Sequence, residues 1–134
     1  MDNKISVFHR VLLWITMISC FIFGLGNYLA PGFVTSLTNV KAPDLISVAC
    51  IGGFLIAGFF GAAFSLKSGL WSEVRITTYY LMTWSLLNGI RLVLHIIKEN
   101  DTGLIPNAVS CLIIGAGLAY VVIKRKCCTK NKAE

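Results

Sequence analysis

Acidic residues are scarce in this chain, and none of the six lies inside a long apolar run: Asp2, Asp44, Glu73, Glu99, Asp101 and Glu134 all fall at the flanks. The apolar segments therefore hold no paired carboxylates for acid–base work, no acid-lined cation path and no carboxylate proton relay. Histidine is scarcer still, with His9 and His95 as its two instances. They fall at opposite ends of predicted helices, roughly 20 to 30 Å apart at ~1.5 Å per residue, so one chain cannot offer them as the two axial ligands of a haem. No HExxH, P-loop, GxSxG or CxxC pattern occurs. These absences predict a non-enzymatic protein with no cofactor and no metal site.

What the chain has in abundance is apolar residues. Hydrophobic types make up 56% of 134 residues and charged types 13%, with a mean hydropathy of +0.76, more than a soluble domain of this size can bury. Uncharged runs extend from Val11 to Val40, Leu45 to Leu66, Ile76 to Ile90 and Thr102 to Ile123. About 20 apolar residues cross a bilayer as a helix. The prediction is an all-α, single-domain integral membrane protein whose four transmembrane helices cover about 8–28, 45–66, 76–97 and 104–123. The opening MDNKISVFHR leads into a run of spanning length without a small-x-small cleavage site, so it reads as the approach to span one and not as a cleaved leader. Pro31 and Gly32 are expected to stop that span and begin the longest loop, which runs to about Asp44. Short links, KSGLWSEVR and KENDTG, force antiparallel neighbours and an up-down-up-down bundle. Trp71, in the first link, is expected in the interfacial aromatic belt.

Charge sets the expected orientation. Lys4, Arg10, Lys67, Arg75, Lys124, Arg125, Lys126, Lys130 and Lys132 fall on one predicted side of the membrane, and only Lys41 and Lys98 on the other. The excess predicts that both termini are cytosolic. The net charge of +6 then reports topology and a basic tail, 124–134, suited to anionic lipid heads; it does not point to nucleic acid, whose recognition needs a basic surface or fold that is lacking. The final KNKAE matches a K-x-K-x-x dilysine signal, which predicts the endoplasmic reticulum. Asn100, Asp101 and Thr102 form a glycosylation sequon so close to two spans that they read as a turn. Cys127 and Cys128 follow Lys124, Arg125 and Lys126 at the membrane edge, where they are either acylation sites or plain tail thiols. Cys20, Cys50 and Cys111 lie inside spans as small packing residues.

Small residues mark the expected seams. Ala49, Gly53, Ala57, Gly61 and Ser65 recur at four-residue spacing on span two, and Cys111, Gly115 and Ala119 repeat the device on span four. These two helices are expected as close partners, within one chain as ordinary bundle packing or between two as a homodimer. Span three carries a different stripe. Trp84, Asn88, Arg91 and His95 fall within an arc of about 60° at 100° per residue. A guanidinium in hydrocarbon costs from about 2.5 to more than 10 kcal/mol, so Arg91 must be relieved by protein, water or the interface. In one reading it clamps span three to Asp44, Glu99 or Asp101, with Asn27 at the end of span one nearby. In the other, Asn27, Asn88, Arg91 and His95 line an outward-opening pocket that receives the head of a lipid-like or anionic hydrophobic ligand.

Gly24, Gly26, Pro31 and Gly32 around the first loop, Gly52, Gly53, Gly58 and Gly61 in the second span, and Arg91 on the third together resemble the pattern of the small DoxX-like four-helix membrane proteins, over nearly the whole chain. That resemblance implies a four-helix bundle. The group is functionally diverse, so it implies no activity and no site residues. The expected function is that of an accessory or assembly subunit acting through intramembrane helix contacts, with membrane lipids and a membrane-protein partner or a second copy around it. A binder or carrier of a small hydrophobic ligand is the alternative.

Overall fold

The computed structural model describes residues 4–38, 45–100 and 102–130. It is an all-α four-helix bundle. Helix α1 (Val7–Leu29) is followed by a short α2 (Pro31–Thr38), then α3 (Leu45–Ser68), α4 (Trp71–Glu99), a 3-10 turn (Thr102–Leu104) and α5 (Ile105–Lys130). Four of these helices, α1, α3, α4 and α5, are long and apolar enough to cross a membrane.

Local chemistry sets the ends. Ser6 caps α1 in extended conformation and accepts from the His9 amide at 3.2 Å. Pro31 opens α2 instead of breaking into loop, since the first helical position needs no amide proton and favours proline's fixed φ. The expected long loop after span one is thus partly helical. α3 ends at Gly69, whose φ of +64° is the left-handed conformation that glycine adopts without a Cβ penalty. Its amide returns to the Ser65 carbonyl at 3.0 Å. Gly69 and Leu70 make the whole turn to α4, so Trp71 and the rest of the expected link are already helical. α4 closes on Asn100, also left-handed at φ 53°, which agrees with reading the sequon as a turn.

The bundle is two hairpins. α1 packs along α3 and α4 along α5, with much thinner contact between the pairs. In the first hairpin the backbones close on Gly52, where an added Cβ would lie 2.5 Å from the Tyr28 nitrogen, and Gly58 faces the Cys20 sulfur. In the second, Gly89 receives Leu112 and Gly115 receives Leu86, each helix giving a notch to the other's leucine. Lipid tails are as apolar as leucine, so such van der Waals contact is what holds membrane helices together.

Within the chain the seam expected from four-residue spacing holds only at its end, where Ser65 is buried and an added Cβ at Gly61 would meet Thr77 at 3.1 Å. A Cβ at Gly53 would meet nothing within 4 Å, and Ala57 is exposed while Ala49 and Gly61 are half-buried. Helix α3 is rotated so that Gly52, one position earlier and 100° around, faces α1. Within the chain, spans two and four are not the close pair; Gly115 packs on α4, with Cys111 and Ala119 half-buried beside it.

The core gathers Ile5, Leu12, Leu13, Ala62, Val74, Leu81, Ile114, Leu118 and Val121, drawn from all four long helices and the N-terminal approach. On α4 burial stops at Gly89, leaving the last ten residues, Ile90 to Glu99, half-buried or exposed.

Candidate functional site

The polar stripe of α4 begins inside the bundle and runs out of it. Trp84 is half-buried, with its ring 6.0 Å from that of Phe54 on α3 and stacked 6.5 Å from that of Tyr80. One turn on, Asn88 donates one Nδ2 proton to the Trp84 carbonyl at 2.9 Å, back onto its own helix. Arg91 is exposed and His95 half-buried. Asn27 is half-buried in the last turn of α1, where the backbone meets Gly52. Among the described residues no hydrogen bond or ion pair connects Asn27, Asn88, Arg91 and His95. Of the acids named as clamps, Glu99 pairs with Lys98 at 3.5 Å, and Asp44 and Asp101 lie outside the described residues.

Arg91 therefore stands on the outer surface of α4. Leu87 and Leu94, one turn before and one after it, are 62% and 56% exposed. The two leucines would face lipid, and the guanidinium stands between them. No protein-family model, characterised protein or solved structure matches this chain. The reading of the site rests on its own geometry.

The opposite end of the bundle holds a polar cluster that the sequence reading missed. His9, fully buried at 0% exposure, places Nε2 3.1 Å from Thr78 Oγ1, joining α1 to α4. Its ring lies edge-on to Trp71 at 5.9 Å, and Arg125 of α5 stands over the same indole at 5.5 Å. Arg125 also donates to the Lys4 carbonyl, while the Ile5 amide donates to the Gly69 carbonyl at 2.9 Å. The N-terminal approach is thus strapped across the α3–α4 turn and the end of α5, which brings Lys4, Arg10, Lys67, Arg75, Lys124 and Arg125 to one end of the molecule. A groove of about 460 Å³ between α3 and α4 opens beside it, lined by Ser65, Lys67, Glu73 and Thr77 among others. The signal available in the sequence was the spacing of His9, Thr16, Cys20 and Gly24, which puts His9 on the same inward stripe as the small residues of α1.

Among the described residues no three His, Cys, Asp or Glu side chains converge to hold a metal ion. Cys20 is buried, Cys111 half-buried and Cys50 exposed on the outside of α3. The side chains of Cys127 and Cys128, and residues 131–134 of KNKAE, lie outside the described residues.

Proposed function

We propose that this protein is a non-enzymatic membrane subunit that assembles with another membrane protein through the surface of α4. The observation that carries the reading is Arg91, a cation exposed between the lipid-facing Leu87 and Leu94 with no ion-pair partner among the described residues. Left against hydrocarbon, it costs the folded chain about 2.5 kcal/mol or more. Association that covers and neutralises it recovers that cost. The carrier reading has less support, because Arg91 stands on the exposed surface of α4 between Leu87 and Leu94 and not within the bundle. The excess of Lys and Arg at the strapped end supports a cytosolic position for that end, and KNKAE supports residence in the endoplasmic reticulum membrane.

Native electrophoresis of gently solubilised membranes tests the reading. The wild-type chain of 14.7 kDa is expected in a species larger than its own monomer, and Arg91→Leu is expected to shift it downward. Monomeric migration of the wild type would overturn the proposal.

A further inference from the structure

We propose that the partner received at Arg91 carries an aspartate or glutamate within its own membrane span. This rests on the assembly reading above and names the chemistry of the partner. Three observations limit where the counter-charge can come from. A second copy of the chain is a poor source, because its acids near that end, Asp44, Glu99 and Asp101, lie at the flanks of the apolar runs and none at the depth of Arg91. Nor is the chain's own Glu99 the source, since it sits eight residues further on beside Lys98.

A lipid phosphate is disfavoured by direction. Arg91 lies eight residues before the C-terminal end of α4, about 12 Å at 1.5 Å per residue. Helical side chains set out toward their helix N-terminus, so Arg91 has to double back along α4 to reach the nearer surface. The way outward along the same face also passes Lys98, whose side chain is 82% exposed, and like charges repel. A carboxylate at the depth of Arg91 meets neither obstacle. It forms a bidentate pair with the guanidinium, strengthened by the low dielectric around it. Leu87 and Leu94 offer apolar contact on both sides of the pair, along the line of an adjacent helix.

The test uses the full chain in phosphatidylcholine vesicles with a synthetic single-span polyleucine helix bearing Asp, Asn or Leu at the matching depth, association being read by energy transfer. The Asp helix is expected to bind wild type at least tenfold more tightly than the Leu helix. That preference should vanish with Arg91→Leu and survive in part with Arg91→Lys. Arg91→Leu removes a charge from an exposed apolar surface, so it should fold at least as well as wild type. Equal binding of the Asp and Leu helices to wild type overturns the proposal. So does loss of the preference when phosphatidylglycerol is added, which would assign a lipid phosphate to Arg91. If the Asp preference is absent while the native complex still depends on Arg91, the carboxylate fails and the assembly reading stands. An Asp preference without any native complex would do the reverse.

Discussion

His9 Nε2 and Thr78 Oγ1 meet at 3.1 Å in the buried interface between the two hairpins. The Thr78 hydroxyl proton is directed to the Val74 carbonyl at 2.9 Å, so the hydroxyl oxygen accepts from His9 Nε2–H. That arrangement leaves a lone pair on His9 Nδ1, which is buried and makes no hydrogen bond. The imidazole is thus half-satisfied, and its one bond joins two pairs of helices that otherwise touch thinly.

Thr78→Val should destabilise the bundle by about 1 to 3 kcal/mol, the cost of stranding a buried polar partner. The double change His9→Leu with Thr78→Val should be less damaging than the sum of the two single changes, because no unpaired group remains. Unfolding curves in one detergent compare the four chains. A Thr78→Val chain as stable as wild type would show that this bond does not join the hairpins.

Adjacent glycines should behave differently. Gly52→Ala forces a methyl to within 2.5 Å of the Tyr28 nitrogen, and the backbones must part, at about 1 to 3 kcal/mol by comparison with overpacked cores. Gly53→Ala enters open space and should lie within about 0.5 kcal/mol of wild type. Melting temperatures measured side by side decide it, and equal losses at both positions would contradict the observed rotation of α3.

That pair shows what could be read from the sequence and what could not. The four spans were legible because apolar run length is set by bilayer thickness, and their bounds differ from the helices by a few residues at most ends. Which stripe of α3 faces a neighbour was not legible: Gly52 and Gly53 are both small, and a rotation of 100° exchanges them. The pairing of spans was equally hidden, since small residues at Gly53 and Gly115 announce a close approach without naming the helix that approaches. Span one does stop just before Pro31, at Leu29, but proline also suits a helix start, so the short α2 that follows was not legible. Thirteen residues before Arg91, Thr78 is ordinary in a span, and nothing marked it as the partner of His9 until the fold brought them together. The polar stripe on α4 was correctly one face, but its burial changes along its length, from half-buried Trp84 to exposed Arg91.

Gly69→Ala should cost about 1 to 2 kcal/mol, the penalty for a Cβ in left-handed conformation. An added methyl there would also meet the Arg10 guanidinium at 2.9 Å. Gly69→Asn should recover part of the loss, since asparagine tolerates that region better. Protease sensitivity at the strapped end, together with melting, checks the order Gly, Asn, Ala.

Labelling of single cysteines in a background free of native ones tests orientation. Positions 4 and 75 should react only from the cytosol, and position 98 only from the opposite side. Reaction of position 98 from the cytosol would invert the topology.

If the α4 surface around Arg91 meets another membrane protein, a crosslinker placed beside Arg91 will capture that protein. A photo-crosslinking amino acid placed at Leu87 or Leu94, with controls at the exposed Phe23 of α1 and at buried Leu81, reads this directly in intact membranes. One discrete larger adduct is expected from positions 87 and 94, lost when Arg91→Leu is added, and none of that size from positions 23 and 81. Adducts to lipid alone from positions 87 and 94, unchanged by Arg91→Leu, would contradict it.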